Sequence, residues 1–396
     1  MTEKTLDEKE MYPTIVLTSA VPWDGLTARP QHLARQLAAS GWPVLFVEPP
    51  VTLIGPLRNP ALKSRMFPRQ PISTVLQSDG KQAEIRVLTP MASVPFYHMV
   101  RGINRFNQRM LAHQIRHHVP GPLILLSMLP DSVDLIPHLA PIATFYDCVD
   151  DHGAFGGLTR LDVMDTLEAS MAYASRTIFA TADALVEKMQ AFHSDVRLIP
   201  NAVELGHFAQ TVQAEEHALL AQIPAPRVGF VGGIGAWLDF ELLRGLAMAR
   251  PDVQFVFIGP IEADVSSIRS LANVHLLGKQ PYAQLPEFLA GFEVCLYPFA
   301  NNKLTESVNP VKIYEYLAAG KEVIATPTRE MHKFTEHVWL APNLEAGLQA
   351  LDAILHGKRK VAPQSVQPFL QKQTWQARAL EMDAALLQSL PLREKR

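Results

Sequence analysis

Cysteine is nearly absent: the 396 residues hold two, Cys148 and Cys295. That number fits a reducing cytosol and excludes a cysteine-based structural zinc site. No run of about 18 uncharged apolar residues occurs, so no membrane span is expected. The opening MTEKTLDEKEMYP is acidic and polar, unlike a secretory signal peptide, and a cytoplasmic location is expected. The 14 histidines contain no HExxH motif. His117 and His118 are adjacent and read as a solvated pair, so no metal site is expected. Short-period repeats and low-complexity tracts are also missing.

What is present is a globular composition, 48% hydrophobic and 19% charged. At this length two domains are the default. The net charge of −3 argues against a nucleic-acid partner. Its distribution is uneven. Between residues 58 and 118 stand the ten cations Arg58, Lys63, Arg65, Arg69, Lys81, Arg86, Arg101, Arg105, Arg109 and Arg116, against the two acids Asp79 and Glu84. The stretch FYHMVRGINRFNQRMLAHQIRHH mixes aromatics, methionine and arginine at helical spacing. One reading is a surface that docks on anionic lipid. The other is a core stripe with its solvated charged face.

Short apolar runs alternate with helical patterns along the chain. TIVLTSA (14–20), PVLFVEPP (43–50), PLILLSM (122–128), IATFYDCV (142–149), RTIFAT (176–181) and DVRLIP (195–200) read as strands. VGFVGG (228–233), VQFVFIGP (253–260), VHLLG (274–278), EVCLYPF (293–299) and EVIATP (322–327) form a second series. This alternation predicts parallel sheets covered on both faces. The domains expected are 1–200, a linker at 201–226, 227–365, and a C-terminal amphipathic helical segment at 366–396 crossing back to the first domain. In open parallel sheets, ligands bind beyond the carboxyl ends of strands. The candidate loops are therefore 19–29, 147–157, 201–206, 232–238, 260–263 and 299–311.

Four stretches, LIPNAVELGHF, VGFVGGIGAWLDFELL, NVHLLGKQPYAQLPEFLAGFEVCLYPF and NPVKIYEYLAAGKEVIATP, resemble the C-terminal domain of GT-B glycosyltransferases. The nearest flavour is the group-1 or family-4-like bacterial sugar transferases of polysaccharide and cell-envelope synthesis. RPQHLARQLAASGWPVLFVEPP and FYDCVDDHGAF resemble a subgroup of them, with some similarity to xanthan glucuronosyltransferase-like enzymes. The resemblance spans about 14 to 350. It implies an α/β chain of the GT-B class, two facing Rossmann-like domains with a cleft between them. The acceptor would bind N-terminally and a nucleotide-sugar, a UDP-sugar foremost, C-terminally. It implies no cofactor and no metal, in keeping with the lack of a DxD-like cluster in the second series. Two departures stand out. GGIGAWLDF carries none of the basic residues that clamp donor phosphates in many members, and LTESVNP replaces the usual EGFG run.

The phosphate charge must then be met elsewhere, and Lys312 is the obvious cation. It falls in the first turn of a helix opened by Asn309 and Pro310, where the macrodipole disfavours a cation unless an anion is bound there. The resemblance gives Glu315, one turn on, the two ribose hydroxyls. The plainer alternative is an exposed Lys–Glu helical pair. Gly232, Gly233 and Gly235 either let the backbone approach the donor or simply make a tight turn. Asp150 and Asp151 follow a strand and suit a base that takes the acceptor proton. The xanthan-type similarity, with its tyrosine three to four residues earlier, favours Asp150. Either acid also suits a helix N-cap. Trp23, Asp24, Arg29 and His32 are polar and aromatic groups fit to line an acceptor site, or else packing and surface residues. Asn201 reads as a structural turn residue.

The function expected is metal-independent transfer of a sugar from a nucleotide diphosphate to a glycan or lipid-linked acceptor in exopolysaccharide or cell-envelope synthesis, on the inner face of the cell membrane. Alternatives are a nucleotide-sugar epimerase of the same architecture and a non-catalytic transferase-derived glycan-binding protein.

Overall fold

The computed structural model describes residues 12–24, 27–67, 72–78, 81–154, 159–360 and 362–390. Arg69 and Asp79 of the basic segment lie outside them. Contacts divide the chain into two units, Met1–Pro200 with Arg378–Arg396, and Asn201–Ala377.

The first unit holds β1 (Thr14–Thr18), β2 (Val44–Val47), β3 (Ile72–Ser78), β4 (Lys81–Leu88), β5 (Leu123–Ser127), β6 (Ala143–Cys148), β7 (Thr177–Ala180) and β8 (Val196–Leu198) in one sheet, ordered β3-β4-β2-β1-β5-β6-β7-β8. Ile15, Val16 and Leu17 of β1 and Leu123 through Leu126 of β5 are wholly buried. Helices cover both faces, which is why these strands read as unbroken apolar runs. Each such side chain contributes about 1.5–3 kcal/mol by leaving water. Apart from β3, every pairing is parallel. β3 pairs antiparallel with β4, which corrects the expectation of an all-parallel sheet. ISTVLQS and KQAEIRVL alternate in polarity, as edge strands do, so a search for long apolar runs passes over them. Asp79-Gly80 between them in sequence is a strong hairpin signal.

The second unit holds β9 (Arg227–Val231), β10 (Gln254–Ile258), β11 (Val274–Gly278), β12 (Val294–Tyr297), β13 (Glu322–Ala325) and β14 (Trp339–Leu340), ordered β11-β10-β9-β12-β13-β14. All five pairings are parallel. Residues 201–226, expected as a linker, belong to this unit's body. Val203, Phe208, Leu220 and Ile223 are buried in the same core cluster as Tyr316 and Phe334. Their polar neighbours masked that apolar spacing. The helix Pro363–Gln371 packs there too, through Val366 and Leu370. The unit boundary then falls inside the last helix, Trp375–Gln388. Its later turns hold to the first unit: Asp383 accepts from Trp42 Nε1 at 2.5 Å, and Arg378 donates to the Pro200 carbonyl at 3.1 Å.

Each sheet reverses its strand order once. In the first, β1 lies between β2 and β5; in the second, β9 lies between β10 and β12. Such switch points leave a crevice beyond the strand ends, because the flanking connections run off to opposite sides.

Candidate active site

At the switch point of the second unit, Gly232 follows β9, and β12 is followed by the short helix Lys303–Glu306 and then the helix Val311–Ala318. That helix is fixed from inside by Tyr316, whose hydroxyl accepts the Val231 N–H at 2.9 Å. Its start is fixed by Asn309. The Asn309 Oδ1 accepts the Asn201 N–H at 3.0 Å, and Nδ2 donates to Glu330 at 2.9 Å. Asn309, expected among the donor contacts, has both ends of its side chain engaged in this way. Its role is therefore positional, and Asn201 shares it through Nδ2, which donates to the Asn309 carbonyl.

No side chain caps the N-terminus of this helix. Lys312 lies in its first turn, and Nζ meets Glu315 Oε2 at 2.7 Å. The pair is not the exposed one of the plainer alternative, because Glu315 is 6% exposed. A Cβ built on Gly232 would stand 3.6 Å from Lys312 Cε, so the β9 turn and the lysine share one site. By contrast, the helix Phe240–Ala249 is closed by Asp239, whose carboxylate takes the Leu242 N–H. The Val311 end has no such carboxylate, and its N–H groups and dipole suit an anion.

The other two glycines have a packing reason. A Cβ on Gly235 would lie 2.3 Å from the Trp237 ring, and one on Gly233 3.1 Å. Trp237 Nε1 donates to the Gly233 carbonyl at 3.1 Å. The space beside Gly233 and Gly235 thus belongs to an indole, which corrects the reading that both open the backbone to a ligand.

In the first unit, Asp150 follows β6. Its carboxylate has no hydrogen bond or ion pair among the described residues. Desolvation, with the Asp151 charge second, raises its pKa from 3.8 to about 7. Asp151 differs. Its Oδ1 accepts from Lys188 Nζ at 2.7 Å and from the Gly153 N–H at 3.2 Å. Lys188 also meets the buried Glu168 at 2.5 Å. Burial works against that ammonium, but the two carboxylates outweigh it and hold its pKa at about 12. Asp151 is thereby the structural member of the acidic pair, not a free base. Neither acid caps the next helix, Leu161–Ala174, whose N-cap is Arg160.

Arg29, expected on the acceptor side, is the first residue of the helix Arg29–Ala39 and is 5% exposed. Its guanidinium makes a two-pronged pair with Asp147 of β6, both bonds 2.8 Å, and donates to the Pro200 carbonyl at 3.1 Å. Its charge is spent inside the fold, which corrects that assignment. His32 is buried in the same helix. Trp23 packs edge-on against Phe46, Arg35 lies over its ring, and its backbone N–H donates to Glu48 Oε1 at 2.8 Å. Asp24 is exposed.

Sequence reasoning missed a further set of groups. A cavity of about 230 Å³ sits beyond the ends of β1, β2 and β5, lined among others by Glu48, Tyr97, His98, Gln108 and Asp131. His98 Nε2 lies 3.3 Å from Asp131 Oδ2. His152 stands near them, and burial lowers its pKa to about 4, leaving a neutral imidazole at pH 7 with Nε2 unpartnered. The loop after β5 was absent from the candidate loops although it follows a strand of the switch point. That topological signal needs the strand order. His113 and His117, one turn apart and exposed, do not extend this set. Among the described residues no group of three or more His, Cys, Asp or Glu is placed to hold a metal.

Two doubly wound sheets, each open at a switch point, define the GT-B class. Residues 225–356, within the second unit, match the family model described as Glycosyl transferases group 1. A protein of Bacillus subtilis (strain 168), assigned to teichuronic acid biosynthesis as the glycosyltransferase TuaH, is 29% identical over 196 residues. The match covers 46% of this chain and 49% of that relative, so it spans about half of its length. Among solved structures, a sucrose-phosphate synthase of Thermosynechococcus elongatus is 17% identical, with TM-score 0.69 over 95% of this chain and 99% of that one. An E. coli trehalose-6-phosphate protein bound with UDP-2-fluoro glucose is 11% identical, with TM-score 0.66 over 96% and 100%. At these identities the two structures establish the GT-B fold.

Proposed function

We propose that the chain transfers a glycosyl group from a nucleoside diphosphate sugar to a hydroxyl of a glycan or lipid-linked acceptor in cell-envelope polysaccharide synthesis. The observation that carries this is the uncapped helix N-terminus with Lys312 in its first turn, beside Gly232 at the switch point. The group 1 match and the teichuronic acid relative support it. UDP is the nucleotide to try first, since one structural neighbour holds a UDP-sugar.

The acceptor oxygen forms a bond to the sugar C1 as the bond from C1 to the diphosphate oxygen breaks. The leaving diphosphate gains negative charge, which Lys312 and the helix end offset without a metal. Asp150, with a pKa near neutrality, takes the acceptor proton in an inverting reaction. If it only hydrogen-bonds the acceptor, a retaining route follows.

The first unit's surface supports a membrane-borne acceptor. Leu57 is 85% exposed, Phe67 74% and Phe106 54%, and Lys63, Arg105 and Arg109 are exposed among them. Hydrogen bonds draw these segments together: Met66 accepts from Ala92, Ser93 from Leu53, and Asn107 from Val94. Apolar and basic groups so mixed suit an anionic lipid surface. Among the described residues no helix is long and apolar enough to cross a membrane.

The test is calorimetry of UDP with the wild type, Lys312→Ala and the double variant Lys312→Met/Glu315→Gln. Lys312→Ala should bind at least tenfold more weakly, and the double variant should stay weak. Unchanged affinity in Lys312→Ala overturns the phosphate role. Recovery in the double variant would mean that Lys312 only neutralises Glu315.

A further inference from the structure

The cavity at the first unit's switch point carries more polar groups than the protein itself satisfies. Asp131 Oδ1, Gln108 Oε1 and Ser93 Oγ line it or belong to lining residues, and none has a partner among the described residues. All three residues are nine-tenths or more buried, at 6%, 7% and 6% exposure. Buried polar atoms left bare cost stability, so such a cluster around one cavity marks a place that a ligand completes. The chemistry of the vacant positions is one-sided. Asp131 and the Gln108 carbonyl only accept, while Ser93 donates or accepts. A fitting ligand offers several O–H donors. No lysine or arginine lines the cavity, and two carboxylates, Glu48 and Asp131, do. Arg65, outside the lining, pairs with Glu48 at 3.2 Å, so the like charge an anionic ligand would meet in this poorly screened site is that of Asp131.

We propose that this cavity binds a neutral, hydroxyl-rich sugar unit and rejects acidic sugars, with Asp131 as its specificity-determining residue and Gln108 as a second hydroxyl acceptor. Naming that unit the acceptor rests on the transferase reading; the binding and its charge preference do not. Asp131 then accepts from one sugar hydroxyl while His98 holds its other oxygen, and Gln108 accepts from a second. Both residues sit on helices, Asp131 on the 3-10 turn Pro130–Leu135. Gln108 lies on the helix Arg101–His118, where Asn104, four residues earlier, is held by Asp131 and Asp134.

The experiment is saturation-transfer NMR on the full chain with methyl glucoside, methyl mannoside, methyl N-acetylglucosaminide and methyl glucuronide. At least one neutral glycoside should receive saturation from the wild type, and methyl glucuronide should not. Asp131→Asn should weaken the neutral glycoside at least tenfold and narrow its preference over glucuronide. Gln108→Leu should weaken it about fivefold and leave the preference intact. Thermal unfolding of each variant checks that it is folded. The proposal is overturned if no neutral glycoside binds, if glucuronide binds as well, or if binding survives both substitutions. UDP calorimetry on the same variants should match the wild type. Loss of UDP binding in wild type with glycoside binding intact would overturn the donor reading alone.

Discussion

Replacing Asp150 with asparagine should remove a pH dependence of stability that the wild type shows. The Asp150 carboxyl titrates at about 7 in the fold against an ordinary 3.8. Desolvation is the larger cause and the neighbouring Asp151 charge the second. The folded state thus holds this proton more tightly than the unfolded chain. Where the unfolded state binds fewer protons, stability falls as pH rises. The favourable contribution is complete below pH 3.8 and lost as pH rises through 7. A shift of about three units corresponds to on the order of 4 kcal/mol at the upper limit. Partial contact of this carboxylate with water reduces that to about 2–4 kcal/mol.

Asp150→Asn is neutral at every pH, so it escapes this loss. Urea unfolding at pH 5, 6, 7 and 8 should show the variant gaining on the wild type steadily, then holding a constant advantage above pH 8. Parallel stability curves for the two proteins would refute the desolvated, unpaired carboxylate. A kinetic counterpart follows for the wild type once a substrate pair is in hand. Its kcat/KM should fall below a limb near pH 7 if the ionised carboxylate is the base, and Asp150→Asn should abolish transfer while leaving UDP affinity unchanged.

Arg29→Ala should destabilise the first unit by about 3–5 kcal/mol in thermal unfolding, because it strands the buried Asp147; a loss under 1 kcal/mol would return Arg29 to the candidate acceptor contacts. Gly259→Ala should abolish soluble folded protein, since Gly259 has φ +149 and its added Cβ would lie 1.8 Å from the Gly232 carbonyl oxygen. Normal unfolding behaviour there would contradict the β9–β10 end geometry. Arg105→Ala/Arg109→Ala should weaken sedimentation with phosphatidylglycerol vesicles by about 2 kcal/mol, roughly 30-fold. Equal binding by wild type and variant would remove the basic surface from the membrane reading.

Much of the fold was legible because parallel strands covered on both faces have little choice of residue. TIVLT, LILLS and VQFVFI could be read directly, and each is a strand. Where burial was one-sided the signal thinned. β3 forms the sheet edge with β4 beside it, and both alternate, so they lacked the long apolar run. Residues 201–226 hide Val203, Phe208, Leu220 and Ile223 among polar neighbours, and only the tertiary core shows where these four go. Arg29 was illegible for a related reason. Sequence shows a charge near a strand end; the residue that consumes it, Asp147, is 118 positions away.

The parts of the proposed donor site were legible where local rules act. A helix start, a lysine in its first turn and a glutamate one turn on are all short-range facts, and the fold keeps them together. Long-range packing changed their meaning. Glu315 is buried, so without ligand the pair answers a cost: the carboxylate needs a cation, and Lys312 is within 2.7 Å. The proposed diphosphate would draw on a lysine already held in place, so little side-chain freedom would remain to be lost on binding. The same pairing tempers the lysine's charge, which resolves why a cation is tolerated at the positive end of a helix. The cavity groups had no such local signature. Asp131, Gln108 and Ser93 come from three separate segments, and what distinguishes them is the absence of partners around a shared space. A sequence lists donors and acceptors; only the fold shows which of them are left over.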